Sequence, residues 1–307
     1  MRTQTLPLLR CPAGCQKELR LTAARAEGER ILSGRLLCSV CGAGYAIEDG
    51  IARMLPGGLA ETQPASESLE LARKRQEMAA RDAQADDYDR MRILALYGKF
   101  LEIPAALARL KPGPEHVVLE AGCGTGRMTP RFASRCRSLI ALDFSLESLR
   151  ACQRKLETAG LTNVDLIQGD VCALPFAGSR FDKVVSCGVL EHVPTPESRA
   201  QMISELARVA RVGSDIVLTV YEYNLFARLF GQKEGAHSGG IYFYRYSHQE
   251  LRQALGRSLV VRRIHGLLYY CVAHCRKPPG AGPSPEKPES AGRRQSRRQE
   301  RRPTHSV

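Results

Sequence analysis

Four turns that each close an apolar run hold most of the residues able to do chemistry in this chain. The first is Glu120-Ala121-Gly122-Cys123-Gly124-Thr125-Gly126, directly after Val117-Val118-Leu119. An apolar run that ends in an acid and opens into spaced glycines reads as a buried strand turning sharply into a helix. Glycines permit positive φ and let a ligand approach the backbone without meeting a Cβ, and the N–H groups of the next helix favour an anion or carboxylate. A dinucleotide fingerprint needs a further glycine three positions after Gly124, and Arg127 stands there, so that reading fails.

The second turn follows Ser138–Leu142 and consists of Asp143-Phe144, where a carboxylate at a strand end can hold two ribose hydroxyls. A helix N-cap is the alternative role for Asp143. The third closes Asn163–Gln168 with Gly169-Asp170-Val171, and the fourth closes Phe181–Cys187 with Gly188-Val189-Leu190-Glu191-His192. On a substrate-facing rim His192 can accept a proton near neutral pH, with Glu191 beside it; both are equally able to serve as structural residues. Apart from these stand Cys11, Cys15, Cys38 and Cys41, two pairs with 22 residues between them. Four thiolates so paired can close a tetrahedron around a structural Zn²⁺, against the alternative of four buried thiols that bind nothing.

Positioning these turns requires alternating strands and helices. Met128–Ser134, Leu146–Thr158 and Ser198–Val209 read as crossover helices, which implies an α/β fold with a mostly parallel, doubly wound sheet. Glu67–Met91 is helical by composition, and its Arg81-Asp82 and Asp86-Asp87-Tyr88-Asp89 either help form a ligand site or make a solvated charged face. Leu94–Leu110 is a further helix. After Ile216–Val220 comes a long connection, residues 221–246, whose Tyr221, Tyr223, Tyr242, Phe243, Tyr244, Arg245 and Tyr246 could stack bases or enclose a planar small molecule. Ser247–Leu255 reads as a helix, and Leu259–Ile264 with Leu267–Ala273 as closing strands.

The 307 residues allow one large domain or two. The expected division is a zinc-ribbon-like head at 1–56, a linker with capping helices at 57–110, a catalytic domain at 111–277 and a disordered basic tail at 278–307. No apolar run reaches the length of a membrane span and no hydrophobic signal core follows Met1, so a cytoplasmic protein is expected. Eleven cysteines, four of them clustered, fit reduced thiols plus one metal site. Of the +13 net charge, residues 276–307 supply six, with nine Lys/Arg against three Glu. Such a tail either attracts RNA or another polyanion or simply keeps the chain soluble. Oligomeric state is not addressed by the sequence.

In order and spacing the four turns resemble the class I S-adenosylmethionine (SAM) methyltransferases of the type 11-like group. E-x-G-x-G-x-G occupies 120–126, an acid ends the second strand at Asp143, G-D stands at 169–170, and FD-x-V-x-S at 181–186 precedes Leu190-Glu191-His192. The likeness spans about residues 85–275 and implies a Rossmann-like, seven-stranded sheet whose last strand is antiparallel. It implies a SAM site made of Glu120, Gly122, Cys123, Gly124, Gly126, Asp143, Phe144, Asp170, Val171, Cys187 and Gly188. The glycines would lie near the methionine part, Asp143 on the ribose hydroxyls, Asp170 and Val171 at the adenine, and Cys187 with Gly188 on the methyl side. A helix near residues 67–91 would cover the pocket.

Tyr45–Leu55 resembles the end of the small zinc-ribbon subunit that activates tRNA and protein methyltransferases, with Ala46 and Ala52 where that family has prolines. The expected activity is methyl transfer to a small molecule or to RNA. Leu190-Glu191-His192-Val193 and Tyr244-Arg245-Tyr246-Ser247 resemble metabolite and quinone enzymes and favour the small molecule; the head pulls toward RNA. No [DN]-P-P-[YFW] follows the fourth strand and no Pro-Cys or Thr-Cys nucleophile occurs, which excludes those amino-group and cytosine-C5 mechanisms. The competing class is a non-catalytic SAM- or partner-binding protein.

Overall fold

Ser138–Asp143 is buried at all six positions, the pattern of a parallel strand covered by helices on both faces. In the computed structural model, which describes residues 1–60, 68–85, 96–237 and 240–279, this strand lies near the middle of an eleven-stranded sheet. The strands are β1 (Leu19–Glu27), β2 (Arg30–Cys38), β3 (Gly44–Glu48), β4 (Ile51–Arg53), β5 (Val117–Ala121), β6 (Ser138–Asp143), β7 (Val164–Gln168), β8 (Phe181–Cys187), β9 (Ala210–Tyr221), β10 (Glu234–Ala236), β11 (Tyr242–Tyr244), β12 (Val260–Leu267) and β13 (Tyr270–Arg276). The helices are α1 (Gly57–Ala60), α2 (Leu69–Gln84), α3 (Ile103–Leu110), α4 (Thr129–Ala133), α5 (Leu146–Thr158), α6 (Pro196–Val209), α7 (Leu225–Phe230) and α8 (His248–Gly256).

Seven of the strands run in the order β7-β6-β5-β8-β9-β13-β12. The pairs from β7 to β9 are parallel, and β13 is antiparallel to both β9 and β12. This is the mostly parallel, doubly wound sheet expected, antiparallel last strand included. The order reverses between β5 and β8, so the crevice for a ligand opens at the carboxyl ends of those strands.

The remaining four strands are the head. They extend the same sheet, because β4 pairs in parallel with β7 through Ala52↔Ile167 and Arg53↔Gln168. Arg2 and Thr5 close on Asp165 of β7: Arg2 N and Nη2 donate to its carboxylate at 2.6 and 2.8 Å, and Thr5 Oγ1 at 2.6 Å. Leu9 and Ile31 of the head pack in one apolar cluster with Ile140 and Phe176. A segment with too little apolar material to fold well alone thus gains its missing burial from the larger sheet. No helix among the described residues is long and apolar enough to cross a membrane.

Local chemistry sets the helix starts. Ser145 accepts from Ser148 N at 3.0 Å and begins α5, and Ser247 with Glu250 forms a reciprocal cap on α8. Two expectations change. Gly98–Glu102 is a π-helical turn ahead of a shorter α3 rather than part of one long helix, and the connection 221–246 carries α7 and a β10–β11 hairpin. The basic tail beyond 279 and the acidic run Asp86–Asp89 lie outside the described residues.

Candidate active site and metal centre

A cleft enclosing about 1060 Å³ of empty space, part of it open to solvent, lies at the carboxyl ends of β5 to β8 beneath α2. Of the sequence-derived cofactor residues, Glu120, Gly122, Cys123, Gly124, Asp143, Phe144, Asp170, Val171, Cys187 and Gly188 line it together; Gly126 does not. All three loop glycines have positive φ, for different reasons. A Cβ on Gly122 would stand 2.3 Å from Val189 Cγ2, and one on Gly126 would stand 2.5 Å from Cys152 Sγ. At Gly124 a Cβ would meet nothing within 4 Å. The outer glycines therefore let the loop close onto its own neighbours, while the middle one faces open space in the cleft.

Asp143 is buried, and its two oxygens accept from Gly124 N at 2.7 Å and Ser145 N at 3.0 Å. Burial still pushes its carboxyl above the usual range, against those two N–H groups. It is thus not the N-cap of α5, a role that Ser145 fills. Asp170 accepts from Cys172 N at 2.8 Å and from Lys74 Nζ at 2.9 Å. Glu120 is buried with Oε2 lacking a hydrogen-bond partner among the described residues, and burial raises its pKa well above the usual range.

Helix α2 covers the cleft through contacts on three elements. Glu70 pairs with Ser198 at the start of α6, Lys74 binds Asp170, and Asp82 accepts from Ser145 Oγ at 2.5 Å and Glu147 N at 3.2 Å at the start of α5. Arg81 lines the cleft. Lys74, Glu77 and Arg127 also line it and were not singled out from the sequence. The signal for the first two was the spacing 74, 77, 81, which puts them on one helical face with Arg81. Glu77 is buried and pushed up to about 7 by that burial. Arg127 donates to the fully buried Glu102 at 2.7 Å, a long-range pairing with no sequence signature.

His192 lines the cleft beside Gly188 and Val189. Its Nδ1 lies 2.7 Å from the Tyr242 carbonyl of β11. A carbonyl only accepts, so Nδ1 carries the proton and Nε2 keeps the lone pair. Burial holds the imidazole well below its ordinary pKa, so it is neutral. Glu191 is fully buried behind it, its oxygens meeting no partner beyond their own backbone among the described residues, and burial lifts it to about 8. An aromatic wall continues from His192: Tyr221 stands 5.4 Å from its ring, and Phe243, Tyr269 and Tyr270 stand 6.3, 5.0 and 5.0 Å from Tyr221. Tyr223, Tyr244 and Arg245 face other partners: Arg228 stands over Tyr223, Arg199 over Tyr244, and Arg245 over the Phe243 ring.

At the head, Cys11, Cys15, Cys38 and Cys41 bring their Sγ atoms within 4.8 Å of one another, with Cys15–Cys38 at 3.5 Å and Cys11–Cys41 at 3.6 Å. Thiolates about 2.3 Å from a tetrahedral ion stand roughly 3.8 Å apart, so the spacing is that of a metal-ready zinc ribbon.

A family described as a methyltransferase domain matches residues 118–213. The phosphatidylethanolamine N-methyltransferase of Cereibacter sphaeroides is 37% identical over 153 residues, 48% of this chain and 70% of that protein. The chain belongs to the SAM-dependent methyltransferase family. The demethylmenaquinone methyltransferase of Thermobifida fusca is 31% identical over 143 residues, covering 46% of this methyltransferase and 59% of the relative. Among solved structures, the Burkholderia thailandensis 1,6-didemethyltoxoflavin-N1-methyltransferase, with its substrate and S-adenosylhomocysteine bound, shares the fold at a TM-score of 0.56. The identity there is 18%, covering 70% of this chain and 93% of that one. The methyltransferase cleft fits SAM on its own terms: open space over Gly124, an unpartnered buried Glu120 oxygen, and acids at two successive strand ends.

Proposed function

We propose that the protein methylates a small-molecule acceptor held at the His192 end of the cleft. The observation that carries this reading is the Nδ1 contact of His192 with the Tyr242 carbonyl, which leaves Nε2 as a neutral proton acceptor lining the cofactor cleft. SAM, when bound, supplies an activated methyl group on a good leaving group. Asp143 would receive the ribose hydroxyls, Asp170 and Val171 would meet the adenine, and the loop of Gly122 to Gly126 would hold the methionine part. Cys187 and Gly188 would border the methyl side. Alignment of acceptor and methyl can supply about 7 to 11 kcal/mol, so His192 has only to take the acceptor's proton. Tyr221, Phe243 and Tyr270 favour a planar or apolar acceptor, and the names of the relatives, which concern a phospholipid, a quinone precursor and a heterocycle, point the same way.

In this reading the four cysteines of the head hold one Zn²⁺ structurally, and the protein works in the cytoplasm. RNA is the second reading, carried by the head's resemblance to a tRNA-methyltransferase activator, and a non-catalytic binding protein is the third. Incubation with methyl-labelled SAM and separated metabolite, lipid, protein and RNA fractions tests all three. Label in metabolite or lipid is the expected result; label confined to RNA or protein overturns the small-molecule acceptor, and no label anywhere favours the non-catalytic reading.

A further inference from the structure

Three segments expose large apolar side chains at one rim of the molecule. Leu96 and Phe100 precede α3, Leu225, Phe226 and Leu229 sit on α7, and Leu268 and Tyr269 form the β12–β13 turn; all seven are between 44% and 77% exposed. The turn ties the three together. Asn224, which caps α7, donates from Nδ2 to Leu268 O at 2.6 Å, and Tyr97 Oη donates to Leu267 O at 2.5 Å. Exposed apolar clusters of this kind are uncommon on a protein that meets only water.

The charge on the patch itself is basic. Within residues 96–101, 223–232 and 262–269 the charges are Lys99, Arg228, Arg262 and Arg263, while the neighbouring acids are engaged: Glu102 is fully buried against Arg127, Glu222 pairs with His248 and Glu250 with Lys233. Lys99 is exposed beside the Phe100 ring, and Arg228 is exposed on α7 between Phe226 and Leu229. A short helix with an outward apolar face, flanked by cations whose stems can lie along that face, is the form that settles into the boundary between headgroups and acyl chains. A protein partner or a second copy would need matching acids; an anionic bilayer offers both the apolar layer and the charge.

The patch also adjoins the site. Tyr269, half exposed on the turn, stands 5.0 Å from Tyr221, which stands 5.4 Å from His192. We propose that this rim docks the protein on a lipid bilayer bearing anionic headgroups, with α7 lying in the interface. That the acceptor then enters from the membrane beside Tyr269 rests on the proposed function; the docking itself does not.

Co-sedimentation of the full-length protein with vesicles of phosphatidylcholine, with and without phosphatidylglycerol, tests it. The wild type should pellet with the anionic vesicles, less with the neutral ones, and less again as salt is raised. Replacing Phe226→Ser together with Leu229→Ser should lower the partition at least tenfold, while the melting temperature and SAM affinity stay unchanged. Failure of the wild type to pellet with anionic vesicles, or a double variant that pellets as the wild type does, overturns the docking. A wild-type dimer that the double variant converts to monomer, without vesicle binding, overturns it in favour of a second copy. Vesicle binding by a protein that does not bind SAM would leave the docking standing and sink the proposed function instead.

Discussion

Lys74 Nζ stands 2.9 Å from Asp170 Oδ2, so the helix over the cleft is tied to the strand-end acid assigned to the adenine. Burial works against the lysine's charge, yet the neighbouring Asp170 carboxylate outweighs it and raises the lysine's pKa, so Lys74 stays charged. Lys74→Met should therefore loosen α2 in the absence of SAM. Hydrogen exchange across residues 69–84 should speed up roughly tenfold, equivalent to about 1.4 kcal/mol, while residues 117–121 stay protected. Unchanged exchange would show that the helix is held by its other contacts.

Asp143 supports the glycine loop as well as facing the cleft. Asp143→Ala should abolish measurable SAM binding by calorimetry and, because Gly124 N and Ser145 N lose their acceptor, lower stability by about 1 to 3 kcal/mol. Retained SAM affinity would remove Asp143 from the cofactor site.

Proton acceptance by His192 fixes the form of the pH profile. The base works unprotonated, and burial keeps its pKa well below the ordinary value, so turnover should be flat from about neutral pH upward and fall only in acid. His192→Gln should lower kcat about a hundredfold and remove the acid limb, with SAM affinity unchanged. A variant that keeps the acid limb would make His192 structural.

Glu191 should report itself through stability. Its folded pKa of about 8 lies above the unfolded carboxylate value, so the native state holds a proton that the unfolded state has lost, and stability falls as pH rises toward 8. Glu191→Gln should flatten that fall, gaining up to about 4 kcal/mol at pH 8 relative to pH 5. Parallel melting curves of the two proteins across this range would refute the buried neutral acid.

The head should carry one zinc ion per chain by elemental analysis. Cys38→Ser should lose it, and because β4 pairs with β7, the damage should extend to faster proteolysis of β7 as well as of residues 1–55. A freshly purified wild type without metal would dispose of the zinc site.

The sequence by itself determined the seven-stranded part of the sheet and most of the cleft. Each strand-end motif is local: an apolar run dictates a buried strand, and the acid or glycine that closes it must emerge at the carboxyl edge, so Asp143, Asp170 and the Gly122–Gly126 loop were placed without coordinates. Cysteine pairing likewise announced the cluster of Cys11, Cys15, Cys38 and Cys41. Tertiary structure alone decided what depends on distant partners. Gly126 reads like its neighbours, but only the approach of Cys152 shows that it lets the loop pack closely against α5. The tautomer of His192 depends on a carbonyl 50 residues away, and the ion pairs Arg127–Glu102 and Lys74–Asp170 join helical segments to the loops after β5 and β7 across gaps that no spacing rule spans. The head, legible as a separate unit, proved to be four more strands of one sheet, because a short segment poor in apolar residues buries more surface against β7 and Phe176 than it could on its own.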